Sequence, residues 1–436
     1  MKTNNLYHIT SLLRNALIKT PKVLILSTLQ GTGSGIAAYR LHKNLLKAEI
    51  ASTMCVLERT NSDPTVISIK NNVKGIPVLS WRHLSDYWHD LLQNYPNKSP
   101  TLCCFTTPDS LVPLESFNQD CDVINLHWIS GFVDLPKIPK LFKGKKIVWT
   151  LHDMNAFTGG CHYTQKCTKY ESKCSECPQL GKSLNSEDIV KDIWETKNKI
   201  YEQLEDMTII TPSRWMADCS KKSSLLGRFP HKVIPNSVDG EIFKPMSREE
   251  ARIKLGLPIK KKLILFGATS LGSVRKGFEL FLRIIEILPK FISPDELELV
   301  SFGSLDPRLT FPTPFKFHSL GSLNNEDDLC LAYNASDLYV MSSKEDNLPN
   351  TAVESLACGT PVVSFNIGGL TDIVDQGKTG YLAPFPDVLE MAHGIKWVLS
   401  SSEIPFRENC RKKALESFSP EKQTDAYIDV YQKVRS

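Results

Sequence analysis

The stretch that most constrains this chain is residues 342–380, SSKEDNLPNTAVESLACGTPVVSFNIGGLTDIVDQGKTG. It reads as a strand end, an acidic loop, a short helix, a buried strand, a double-glycine turn and a second helix. Asp346 and Glu354 lie eight positions apart, with Asn347 and Leu348 in the loop between them. Pro349 suits a first helical turn because its missing N–H has no intrahelical partner there, and Gly359 ends the helix by accepting a left-handed conformation. The expected helix therefore starts beside Asp346 and leaves the N–H groups of Asn350, Thr351 and Ala352 for a ligand; such an end favours an anion such as a phosphate. Residues 360–365, TPVVSF, form an apolar strand, and Gly368-Gly369 turns the chain back tightly towards the same place.

At 436 residues the chain is too long for one core and implies two or three domains of ordinary size. The net charge of +4 is small, and its modest excess lies in residues 1–205, where 24 Lys+Arg stand against 19 Asp+Glu. That bias suits an acidic or membrane-surface acceptor and is too weak for nucleic acid. No apolar run approaches the roughly 20 residues of a membrane helix, and no signal-peptide core with a small-residue cleavage site is present, so the expectation is a cytoplasmic protein. Residues 6–19, LYHITSLLRNALIK, put Leu6, Ile9, Leu13 and Leu17 on one face with Arg14 and Lys19 beside them. That pattern fits either shallow contact with the membrane surface or a helix packed on the first domain.

The first half alternates strands and helices in the βαβ rhythm of a parallel sheet covered on both faces: strands at 22–29, 51–58, 122–129 and 145–153, and a helix around 81–95. The first strand runs into Gly31-Thr32-Gly33-Ser34-Gly35 and a helix. A dinucleotide fingerprint would put its third glycine at Ile36, where close helix-to-strand approach needs a small residue, so the loop reads as a close backbone approach to some other ligand or as a tight turn. His127 and His152 end adjacent strands, with Asp153 next to the second. In open parallel sheets ligands bind beyond the carboxyl ends of strands, which makes all three site candidates. Asp120-Cys121-Asp122 spells Asp-x-Asp but leads directly into a strand with no further ligand nearby, and reads as polar residues before the strand.

Among twelve cysteines, Cys161, Cys167, Cys174 and Cys177 are spaced C-x5-C-x6-C-x2-C with His162 beside the first. Without an export signal they are expected reduced, and four thiolates within 17 residues can surround one structural zinc. Reduced thiols or redox disulfides are the other readings. A zinc held by all four thiols has no open position and is not catalytic.

A second alternating half begins at 261–270 and continues with strands at 297–304, 315–323 and 336–343. Arg275-Lys276-Gly277 opens its first long helix, where a lysine meets a diphosphate as a compact charge or stands solvated at a helix start. Ser213 and Arg214 begin an earlier helix, either near a ligand or as an N-cap.

The 342–380 run resembles the donor-binding signature of the retaining glycosyltransferases of family 4, with two carboxylates flanking seven residues, a small-residue helix and a Pro-Val-Val strand. It departs at the first acidic position, where the family usually has Glu; spacing assigns that role to Asp346 and leaves Glu345 one residue out of register. The Gly33-Ser34-Gly35 loop, His152 and Lys276-Gly277 resemble further family elements, and the His-Asp, Gly-Gly-Cys-His-Tyr and Cys-Pro-Gln-Leu string resembles a subgroup that builds bacterial exopolysaccharide and O-antigen repeats.

The resemblance implies a GT-B fold, two Rossmann-like doubly wound parallel-sheet domains facing an interdomain crevice. Its parts are an acceptor-side domain over 1–239 with a Cys-rich insert at 159–181, a nucleotide-sugar domain over 240–418, and a terminal helix over 419–436 that in this fold often crosses back to the first domain. It implies transfer of a sugar from a nucleotide-diphosphate sugar to a lipid-linked oligosaccharide at the cytoplasmic membrane face, with retention and no catalytic cofactor. His152, Asp346 and Lys276 are then catalytic. Gly33, Ser34, Gly35, Arg275, Asn347, Leu348, Asn350, Thr351 and Glu354 bind the donor, and His127 and Asp153 lie on the acceptor side. The base packs near 318–321. Ala268 and Thr269 stand where the family usually has an arginine after the strand, so either Arg275 substitutes for it or one phosphate contact is missing. Two other classes stay open: a nucleotide-sugar 2-epimerase on the same fold, and a non-catalytic sugar-nucleotide-binding module.

Overall fold

The computed structural model describes residues 20–69, 81–99, 104, 120–270, 273–304, 313–323 and 325–433. The amphipathic segment at 6–19 lies outside them. Among the described residues no helix is long and apolar enough to cross a membrane.

The chain divides into two units. The first comprises residues up to Thr211 together with Cys219–Ile234 and the chain from Gln423 onward; the second comprises Pro212–Asp218 and Pro235–Lys422. Each is built on a parallel sheet, because each supplies short apolar runs separated by helices long enough to cross over.

In the first unit β1 (Val23–Leu29), β2 (Ser52–Glu58), β3 (Val66–Ser68), β4 (Val123–Leu126), β5 (Lys146–Thr150), β6 (Met207–Thr211) and β7 (His231–Val233) form a seven-stranded sheet in the order β3-β2-β1-β4-β5-β6-β7. The order reverses between β1 and β4, which pair with Val23 opposite Val123 and Leu26 opposite Leu126. A switch point of this kind leaves a crevice beyond the strand ends. The glycine loop follows β1 there and His127 follows β4. The expected helix around 81–95 spans Trp81–Gln93. Lys22 takes both members of the Asp-x-Asp sequence, pairing its ammonium with Asp120 at 2.7 Å and giving its N–H to Asp122 at 2.9 Å.

In the second unit β8 (Lys262–Ser270), β9 (Leu297–Ser304), β10 (Lys316–Ser319), β11 (Leu338–Met341), β12 (Val362–Phe365) and β13 (Gly380–Ala383) form a six-stranded sheet in the order β10-β9-β8-β11-β12-β13. Its reversal falls between β8 and β11, so the segments leaving those two strands, which carry Lys276 and Asp346, flank the second switch point.

The last helix, Pro420–Gln432, delivers Tyr427 and Tyr431 into the core of the first unit, packed with Val23, Val148 and Ile210. Both rings are fully buried, and each hydroxyl finds a partner: Tyr427 meets Thr150 Oγ1 at 2.9 Å, and Asn125 Nδ2 donates to Tyr431 at 2.7 Å. Burying the rings this way supplies apolar area without orphaning a polar atom. Tyr431→Ala is expected to lower the unfolding free energy of the first unit by about 3–5 kcal/mol, as large aromatic truncations do. The exposed control Tyr87→Ala should stay within about 0.5 kcal/mol. Urea denaturation followed by tryptophan fluorescence makes the comparison.

Candidate functional site

In the second unit the chemistry is organised around one carboxylate. Asp346 follows β11 and is 6% exposed. Its Oδ2 receives Lys276 Nζ at 2.7 Å and Arg275 Nη1 at 2.9 Å, with Ser343 Oγ at 3.4 Å. Burial pushes the Asp346 carboxyl up, but the two cations outweigh burial and hold it at about 2. Burial also pushes the Lys276 ammonium down, with Asp346 opposing. Two cations on one anion leave a local excess of positive charge, the condition for receiving a further anion.

Backbone contacts fix this cluster. Gly277 is left-handed at φ +64°, and a Cβ there would stand 2.0 Å from Ser342 O, so only glycine lets the Arg275-Lys276 turn approach the loop after β11. Arg275 Nη1 also donates to Glu345 O at 3.0 Å, and Lys344 N–H to Arg275 O at 2.8 Å. Glu345 thus contributes its carbonyl to holding Arg275. From the other side, Gly369 N–H donates to Asp346 O at 3.0 Å, and a Cβ on Gly369 would lie 1.6 Å from Asn347 O. The double glycine is there so that the turn after β12 can close on the acidic loop.

The helix bearing the second carboxylate spans Asn350–Ala357 with Pro349 as its N-cap. Glu354 is 4% exposed and receives the hydroxyl of Tyr333 at 3.1 Å. Tyr333 lies on the helix Glu326–Ala335, is itself fully buried, and carries no local sequence signal linking it to Glu354. At the helix start the Ala352 N–H is already given to Pro349 O at 3.1 Å, which corrects the expectation that it is free. A proline cap tightens the first turn into a three-residue bond. Asn347 accepts from Ser213 Oγ at 2.7 Å while Ser213 also receives Met216 N–H, so Ser213 is both an N-cap and the group that orients Asn347. Asn350 accepts from Asn236 Nδ2 at 3.2 Å. The Leu348 side chain packs in the core, leaving its backbone on the loop. His318 pairs with Glu298 on the neighbouring strand at 2.5 Å.

In the first unit Thr32 caps the helix Gly33–Lys47, accepting from Gly35 N–H. A Cβ on Gly35 would stand 1.9 Å from Leu29 O, so Gly35 is the residue that lets helix and strand touch. Around Gly33 the space is open. Ser34 Oγ lies 3.2 Å from Thr32 Oγ1.

Past β4 and β5 stand two imidazole systems in different charge states. His127 Nδ1 and His152 Nε2 are 2.8 Å apart, so one ring donates to the other. Burial pushes His152 down to about 4 and His127 well below its ordinary value, and both are neutral at pH 7. Asp153, by contrast, accepts from His162 Nδ1 at 2.5 Å, from Trp128 Nε1 at 3.0 Å and from Asn155 N–H at 2.9 Å. Burial works against the His162 cation, yet Asp153 and Cys104 together outweigh it and push the ring up to about 10. Asp153 is therefore committed to this network. Trp128, Asn155 and Lys197 line one pocket with His127, His152 and Asp153. Lys197 is buried, donates to Thr158 O at 3.0 Å, and is pushed down to about 8 by burial. Sequence reasoning passed over Lys197 and Trp128; His162, already noted beside Cys161, was the one signal of the network.

Cys161, Cys167, Cys174 and Cys177 line a separate pocket of the first unit. No disulfide joins them, and among the described residues no three His, Cys, Asp or Glu side chains are arranged to hold a metal ion, so a zinc would have to draw the thiols together. Metal analysis of protein purified without chelator decides the matter: the spacing predicts about one zinc per chain, and metal-free protein with four freely titrating thiols contradicts it.

The neutral histidine pair gives a pH prediction. Groups with native values below their unfolded value of about 6.5 bind fewer protons folded, so their stabilisation is complete above that pH and is lost as pH falls towards the native value of about 4 for His152. Urea midpoints measured from about pH 7 to 4.5 should fall for the natural protein and fall less steeply in a His127→Asn/His152→Asn double variant, the remaining slope coming from His42, which burial also pushes down to about 4. An unchanged slope in the variant contradicts the assignment.

Comparison with known proteins adds to this geometry. Residues 247–417 match the model of the family "Glycosyl transferases group 1". D-inositol 3-phosphate glycosyltransferase from Mycobacterium marinum is 30% identical over 220 residues, which covers 46% of this chain and 44% of that protein. The match thus spans less than half of the relative's length. Among solved structures, sucrose-phosphate synthase from Thermosynechococcus elongatus superposes with a TM-score of 0.69 at 16% identity, covering 95% of this chain and 98% of that one. HepE from Anabaena in complex with UDP-glucose gives a TM-score of 0.60 at 15% identity, covering 95% and 100%. The chain therefore has the GT-B fold, two Rossmann-like parallel-sheet units, and residues 247–417 of its second unit are similar to the group 1 glycosyl transferases.

Proposed function

We propose that this protein is a retaining glycosyltransferase that moves a sugar from a nucleotide-diphosphate sugar to a lipid-linked glycan in cell-surface polysaccharide synthesis, working at the cytoplasmic membrane face. The observation that carries the reading is the Asp346 cluster: two cations on one buried carboxylate at the switch point of the second sheet, one helix away from Glu354. The group 1 family match over residues 247–417 and the UDP-glucose held by HepE support the choice of donor.

In this reading the donor diphosphate takes the excess positive charge of Lys276 and Arg275, and those cations stabilise it as the sugar–phosphate bond breaks and negative charge builds on the leaving oxygen. Asp346 restrains both cations before the donor arrives and turns its free oxygen to a sugar hydroxyl. Glu354, held by Tyr333, accepts from the ribose hydroxyls. The backbone of Asn347 to Thr351 lines the same end of the helix. An acceptor hydroxyl attacks the anomeric carbon on the face the diphosphate leaves, and its proton passes to the leaving phosphate oxygen. That course keeps the anomeric configuration and draws its charge stabilisation from Lys276 and Arg275. We assign His152 to orienting the transferred sugar and the pocket around His127 to the acceptor side. The Mycobacterium relative's name puts an inositol phosphate beside lipid-linked glycans in the acceptor panel.

Lys276→Ala and Glu354→Ala are expected to lower transfer at least about 100-fold. For the first acidic position, Asp346→Ala should lose activity and Glu345→Ala keep most of it; the reverse pattern overturns the register. Asp346→Ala also strips a buried pair, with an expected stability loss of about 3–5 kcal/mol, so assays belong well below its unfolding temperature. Proton NMR of the product reads the anomeric configuration, with inversion contradicting the mechanism. Incubation with donor alone separates an epimerase, which would convert the sugar without any acceptor.

A further inference from the structure

The helix Asn350–Ala357 is joined to the helix Glu326–Ala335 twice, one turn apart. One link is the hydrogen bond from Tyr333 to Glu354. The other is a sulfur contact: Cys330, three residues before Tyr333, and Cys358, four residues after Glu354, lie with their Sγ atoms 3.7 Å apart. Both thiols are free. Cys358 has no exposed surface, whereas Cys330 keeps 8% of its surface open.

The two sulfurs are not equivalent. Asn334 Nδ2 donates to Cys330 Sγ at 3.4 Å, the Cys358 thiol points at the same atom, and Lys244 O lies 3.8 Å away as an acceptor for the Cys330 thiol. Donors converging on one sulfur favour its thiolate: the Cys358 contact leads in holding the Cys330 thiol down to about 6, with burial opposing, while burial pushes Cys358 well up. A thiolate with slight exposure beside a protonated thiol is the arrangement in which the first sulfur reacts with an oxidant and the second resolves the product.

We propose that Cys330 and Cys358 are a peroxide-oxidisable dithiol whose disulfide ties the Tyr333 helix to the Glu354 helix. The Cys330 thiolate attacks the O–O bond of hydrogen peroxide, giving a sulfenic acid and, after protonation, water. The Cys358 sulfur then attacks the Cys330 sulfur, the S–S bond forms, and the sulfenic oxygen leaves as a second water with the Cys358 proton. Two electrons pass from the thiols to the peroxide, and a small-molecule dithiol reverses the step. Bond formation shortens the sulfur separation by roughly 1.7 Å. That strain acts one helical turn from Glu354. Its consequence for donor binding rests on the reading of Glu354 under Proposed function.

The test uses the full chain, reduced and then exposed to stoichiometric hydrogen peroxide. Non-reducing peptide mapping should find a Cys330–Cys358 linked peptide, lighter by about 2 Da than the reduced pair and reversed by dithiothreitol. In Cys358→Ser the linked peptide should vanish and a dimedone adduct appear on Cys330. Both thiols remaining alkylatable under peroxide that oxidises other cysteines overturns the proposal, as does a sulfenic acid on Cys358 in place of Cys330. Calorimetric titration with UDP-glucose, GDP-mannose and ADP-glucose then reads the coupling: the bound donor should bind about threefold more weakly, or worse, to the oxidised protein, and equally in both states for Cys330→Ser. A linked peptide with unchanged affinity overturns the coupling. Failure of the reduced protein to bind any of the three donors counts against the donor reading and leaves the dithiol standing.

Discussion

The second unit depends on the buried carboxylate of Asp346. Placing one buried anion under two half-buried cations fixes both Lys276 and Arg275 on the same carboxylate and leaves one positive charge in excess. The geometry follows from backbone sterics as much as from electrostatics, since Gly277, Gly368 and Gly369 are what allow two separate segments to converge on the loop after β11. Replace any of the three by a residue with a Cβ and a carbonyl of the facing segment stands within about 2.0 Å of it. The glycines and the charges are therefore one device, in which close backbone approach fixes where the positive charge sits.

The first unit solves a different problem with the same kinds of group. Past two neighbouring strands it keeps one imidazole pair neutral and one imidazole charged, and the difference is which ring bonds the Asp153 carboxylate directly. His127 and His152 face each other with no anion between them, and burial decides their state. His162 has Asp153, itself anchored by Trp128 and the Asn155 N–H, and stays protonated. A neutral histidine is free to donate from one nitrogen and accept at the other, which suits hydroxyl recognition. The charged pair beside it supports the loop that carries His152.

How much of this was legible in the sequence follows from range. Strand runs such as VLILSTL and LELVSFGS, and the glycines after them, announce parallel sheets because burial on both faces leaves an unbroken apolar pattern. The Asp346 loop, Pro349 and the double glycine are local and were readable together. Tyr333 was not, because its hydroxyl reaches Glu354 across two helices and 21 positions, and a tyrosine on an apolar face reads as core. Asp153 shows a different limit. Its position after a strand marks it as ligand-facing, but its partners come from 25 residues upstream and nine downstream, and only the folded chain reveals that its oxygens are already occupied. The free N–H expected at Ala352 failed for a smaller reason, since a proline cap tightened the first turn.

The central claim is that the second unit receives a nucleotide-diphosphate sugar and activates it through the Lys276, Arg275 and Asp346 cluster. The most direct measurement is a screen of radiolabelled nucleotide sugars with the purified chain alone, scored for slow release of the nucleoside diphosphate. The account predicts release from one sugar nucleotide, saturating with donor and blocked by the matching free nucleoside diphosphate. Saturation by no nucleotide sugar, or release that the free diphosphate fails to block, would contradict it.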